Sequence, residues 1–224
     1  GNTADAELAL KLGSTDSKVL RALVNAALER NLKAPATAAV LLGPQLKPGS
    51  ARLETVRLIG VWKLDAHTEA IRDVAAGHTE PIALRVAAAE ALGQLSGPQV
   101  AEALAKLTAL NEPNNLRAAS LGSLARHDVP RAAQLVAGLA GKVKPDELGP
   151  LMAALLQRKA GADVLADKLS QAGLIPKRER AVWNEFLDSY IATRTDVKKS
   201  GHILHDQTRR NLVNFLCSFK TFFY

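Results

Sequence analysis

Leu84 to Leu95 reads LRVAAAEALGQL, an arginine followed by an alanine-rich run that ends on a glycine and a final leucine. Alanine and leucine lose little side-chain freedom in a helix, so this stretch predicts one. It recurs. In the same frame stand Leu20-Arg21 to Leu28, Ala51-Arg52 to Trp62 and Leu116-Arg117 to Leu124, which places arginines at 21, 52, 85 and 117, in steps of 31, 33 and 32 residues. A fifth, Arg180, belongs to the same register.

The apolar residue seven places after each arginine continues where the arginine lapses. Leu28, Ile59, Leu92, Leu124, Leu156 and Leu187 are separated by 31, 33, 32, 32 and 31 residues, and they are the expected core of the repeat. A period in the low thirties that holds two helical patterns is the mark of an α-solenoid, in which neighbouring units bury each other's apolar faces. The fold class expected is therefore all-α, an α-α superhelix of about five two-helix repeats with partial units at its ends. The units run at about 14–47, 48–78, 79–111, 112–143 and 144–174, with a partial one at 175–195.

Punctuation supports this division. Ser14-Thr15-Asp16 can cap a helix reaching Arg30, and Pro35 opens a second helix expected to end near Leu46, before Lys47-Pro48-Gly49-Ser50. Pro81, Pro113 and Pro145 introduce the later units, and prolines at helix starts with glycines at their ends follow the usual polarity. Within the second helices Ile71, Leu104 and Val136 share one position, with Val74, Leu107 and Leu139 three residues on, so both sets are expected to be core. The fifth unit has Gly149 and Pro150 where the arginine and its neighbour should be, which predicts a kink or a late helix start. Ala4 to Leu12 reads as a second helix whose partner is missing, so residue 1 is expected to be a boundary within something longer.

Composition excludes several classes. The apolar share of 47% includes only 4% aromatic residues, which suits close-packed helices rather than sandwiches. The net charge of +7 invites a nucleic-acid reading, but residues 175–224 hold nine Lys/Arg against five Asp/Glu, leaving twenty against seventeen over the first 174. The array lacks the basic stripe that phosphate tracking requires. A single cysteine, Cys217, excludes an intrachain disulfide, and no run of apolar residues is long enough for a transmembrane helix.

The pattern VRxAAxxALGxL, a short turn and an xxxxxALxxLL helix resembles the HEAT repeat, in particular the short bacterial unit first associated with phycobilisome lyases. Leu84 to Leu95 carries the likeness most fully, and it extends over roughly residues 4–193. The resemblance is specific for fold and says little about function, since such arrays serve as scaffolds in many settings; a regular array without site chemistry leads to the expectation of a non-catalytic scaffold, with no cofactor or metal, whose partner is another protein or a neighbouring domain of the same parent chain. In such arrays the repeat arginines make inter-repeat hydrogen bonds to loop acids or carbonyls, which is the role expected of Arg21, Arg52, Arg85, Arg117 and Arg180 in preference to an acidic ligand.

More distantly, the alanine-rich units with lysine- and proline-bearing loops are similar to the HEAT segments of large exported planctomycete proteins, between a dehydrogenase-like propeller and a c-type cytochrome. That likeness implies a spacer in a secreted redox protein, periplasmic or exported, where the plain array would be cytoplasmic. Cys217 is followed by Ser-Phe-Lys, so no CxxCH haem site is present. A third reading, a nucleic-acid binder akin to HEAT-like DNA glycosylases, meets second helices of mixed sign, among them Glu69, Arg72, Asp73, Glu102, Lys106 and Arg131.

From Gly201 the text changes. Phe215, Phe219, Phe222, Phe223 and Tyr224 supply five of nine aromatic residues, and residues 201–224 read as a terminal cap, an interfacial segment or non-native sequence. His202, His205 and Asp206 have spacing that could bind a metal only with a further ligand. His67, His78 and His127, at helix ends or turns, are expected to be solvated, and Trp62, in the place of Leu95, is expected to pack in the core. No Ser-His-Asp set, paired-carboxylate motif, glycine-rich phosphate loop or zinc spacing is present, so neither an enzyme nor a small-molecule substrate is expected.

Overall fold

A computed structural model of the chain describes residues 2–156, 158 and 161–174. Among them are eleven α-helices and no β-strand, so the protein is all-α. The expected partial unit at 175–195, with Arg180 and Leu187, and the tail at 201–224 lie outside the described residues. The chain divides into two compact units, Gly1–Leu107 and Thr108–Tyr224.

The first unit holds α1 (Thr3–Gly13), α2 (Ser17–Arg30), α3 (Ala38–Leu42), α4 (Arg52–Val61), α5 (Thr68–Ala76), α6 (Ile82–Leu92) and α7 (Val100–Lys106), with single 3-10 turns at Gly43–Leu46 and Asp65–His67. Local chemistry sets the boundaries. Asn2 caps α1 reciprocally with Asp5, each side chain accepting from the other's backbone N–H, at 2.9 and 3.0 Å. Asp16, the third residue of the Ser-Thr-Asp run, caps α2 by accepting from the Lys18 N–H at 2.8 Å. Asn31 and Lys63 follow α2 and α4 with φ of 53°. The next N–H then reaches back into the helix: Leu64 to Ile59, five residues back, with Lys63 to Gly60, closes α4 as a Schellman termination, and Leu32 reaches six residues back to Ala26 at the end of α2.

Helix α2 packs on α4 and α4 on α6, while α5 lies against α6 and α7. The α4–α6 contact is close because small residues meet there: a β-carbon on Gly60 would fall 2.7 Å from the Cα of Ala91. Ile59, Leu92, Ile71 and Leu104 are fully buried, and Val74 and Leu107 nearly so. Each such side chain contributes about 1.5–3 kcal/mol through loss of apolar surface from water.

In the second unit are α8 (Asn114–His127), α9 (Val129–Ala140), α10 (Pro145–Leu156) and α11 (Gly161–Gln171). Here α8 packs on α10 and α9 on α11, and α9 also touches α8 and α10. Leu124, Val136 and Leu156 are buried in this unit, with Leu139 close behind.

Three expectations are corrected. Leu28 is not a core residue but is 66% exposed. Helix α2 buries Leu20, Leu23, Val24 and Ala27 instead, and carries Asn25 where α4, α6 and α8 have the buried Val56, Ala89 and Leu121. A polar residue in that place leaves the flank shared by positions 25 and 28 facing water.

The second helix of the first unit does not run from Pro35 to Leu46. It is the five-residue α3 followed by a 3-10 turn, because Pro44 has no N–H to reach the Val40 carbonyl and the chain tightens instead. In the fifth unit, where a kink or a late start is expected, the late start does not occur: the helix begins at Pro145, so that Pro150 lies within it. The Asp146 carbonyl therefore loses its partner four residues on.

Candidate functional site

The four described repeat arginines all turn toward acceptors within the protein. Arg52 donates from Nη1 to Glu80 Oε2 at 2.7 Å, with the pair largely withdrawn from solvent. Arg21 donates from Nε to Glu54 Oε1 at 2.9 Å. Arg85, itself buried, donates from Nε to the Ala75 carbonyl at 2.9 Å, at the C-terminal end of α5 where the helix dipole favours a cation. Arg117, also buried, lies 3.5 Å from Glu147 Oε1 through Nη2.

The pairs differ in energy because they differ in exposure. Glu54 is 1% exposed, and two guanidiniums serve it, since Arg57 Nη1 also lies 3.2 and 3.3 Å from its two oxygens. Arg21 keeps 62% of its side-chain surface, so its half of the interaction is screened by water. Arg52 and Glu80 retain 13% and 24%, where a charge-assisted bond is stronger.

Side chains other than the arginines also join positions about one period apart. The Trp62 indole N–H donates to the Leu32 carbonyl at 2.9 Å, 30 residues back, so its burial at the Leu95 position comes with a bond that leucine cannot make. The Ser96 N–H donates to Asp65 Oδ1 at 2.7 Å, 31 residues back. His67, expected to be solvated, is half-buried instead, its Nε2 lying 2.8 Å from the Ala39 carbonyl, 28 residues back. The reason is space: Gly43 has no side chain, and the His67 ring fills the gap, its Cε1 3.2 Å from where a β-carbon would be. His78 and His127 are exposed.

An accessible recess of the first unit lies between α5 and α7. It is an open groove of about 620 Å³ lined by Arg72, Asp73 and Ala76 from α5 and by Glu102, Ala103, Lys106 and Leu107 at and after α7, with Gln99 at its end. Spacing of three and four residues puts Gln99, Ala103 and Lys106 on one face of α7. Arg72 spans the groove, donating to Gln99 Oε1 from Nη1 and to Glu69 Oε1 at 3.2 Å from Nη2, with Asp73 Oδ1 3.8 Å from Nε. The lining thus carries both signs together with alanine and leucine. Such a lining can form ion pairs and apolar contacts.

The internal partners Glu54, Glu80, Glu147 and Asp65 were not singled out by sequence reasoning. They lie 28 to 33 residues from the groups they join, and among the acids paired with repeat arginines only Glu54, 33 residues from Arg21, falls a full period away. Among the described residues no group of His, Cys, Asp or Glu could hold a metal ion, and no helix is long and apolar enough to cross a membrane. The His202, His205 and Asp206 cluster lies outside the described residues. In comparison with known proteins, no family model, no curated relative and no solved structure matches the chain.

Proposed function

We propose that the chain is a HEAT-like α-solenoid scaffold, without catalytic activity of its own, that holds another protein or a neighbouring domain along the face of its second helices. The observation that carries the reading is the α5–α7 groove, which exposed Asp73, Glu102 and Lys106 line together with Ala76 and Ala103. What supports the solenoid is the spacing of the bonds just described, since tandem units that touch only their neighbours place such contacts one period apart. What favours a protein partner over nucleic acid is the sign of the groove: two cations and two anions give no excess to displace counterions from a phosphate backbone.

The experiment is affinity capture of partners on the immobilised chain, in parallel with a variant carrying Arg72→Glu and Lys106→Glu. A protein retained by the wild type and lost from the variant, with helical content unchanged, is the expected result. Equal retention by both, or binding to duplex DNA that falls steeply with salt, overturns the reading.

A further inference from the structure

We draw no further inference here: the strongest candidate, the exposed leucines Leu8 and Leu12 of α1 and Leu28 of α2 in the first unit, is unpartnered apolar surface and nothing in the structure shows what covers it.

Discussion

Gly60 of α4 rests directly on Ala91 of α6, and a β-carbon added to the glycine would stand 2.7 Å from the alanine Cα and 2.8 Å from its Cβ. Two helix backbones approach this closely only where a side chain is missing. Gly60→Ala should therefore destabilise the protein by about 1–3 kcal/mol through overpacking, even though alanine is the better helix former by about 1 kcal/mol. Gly138 of α9 is the control, because nothing lies within 4 Å of its added β-carbon. Gly138→Ala should stabilise by about 0.5–1 kcal/mol, and urea unfolding of the two variants checks both signs.

Lys63 takes φ of 53° at the end of α4, a conformation that costs a residue with a β-carbon about 1–2 kcal/mol. Part of that cost returns as the greater freedom of glycine in the unfolded chain. Lys63→Gly should raise the unfolding free energy by about 0.5–1 kcal/mol. Asn31→Gly, at the matching end of α2, should gain less, since asparagine tolerates this region. A thermal shift that is larger for Asn31→Gly would contradict the assignment.

The Arg52–Glu80 pair, at 2.7 Å and mostly withdrawn from water, should couple by about 1–3 kcal/mol in a double-mutant cycle of Arg52→Gln and Glu80→Gln. The Arg21–Glu54 pair should couple by less than about 1 kcal/mol in the corresponding cycle, because Arg21 is mostly exposed and Arg57 remains beside the carboxylate. Removing Arg21 and Arg57 together strands a buried charge, and that double variant should lose about 3–5 kcal/mol. Chemical denaturation measures all three, and additive losses at Arg21 and Arg57 would reject the shared carboxylate.

Trp62→Phe keeps most of the apolar volume and deletes the indole N–H that serves the Leu32 carbonyl. A loss of about 1 kcal/mol is expected from the hydrogen bond, with a further part from the smaller ring. Amide exchange of the loop after α2 should rise in step, and an unchanged loop would assign the whole effect to packing.

The all-α class was legible because the strongest signal in the sequence is helical. Ile59, Leu92, Leu124 and Leu156 recur at nearly constant spacing, and the structure buries each of them. The spacing was silent where one residue alters a flank: Leu28 keeps the register, but Asn25 beside it turns that side to water. It was silent again at Gly43-Pro44, where the missing proline N–H matters more than the apolar run before it. The acids that receive the arginines were hidden because loop lengths vary, so Glu54, Glu80 and Glu147 fall 33, 28 and 30 residues from their partners. The groove between α5 and α7 was legible only as a list of mixed charges on second helices. That Arg72 is held by Glu69 and Gln99 depends on how the helices lie.

Photo-crosslinking tests the central claim most directly. Benzoylphenylalanine placed at Ala76 or Gln99 on the groove should label a discrete protein in extracts of the source organism, with labelling competed by unmodified chain and abolished by Arg72→Glu with Lys106→Glu. The same probe at Glu90, exposed on α6, serves as the reference position. Equal labelling from Glu90, or none from either groove position, would contradict recognition through the second-helix face.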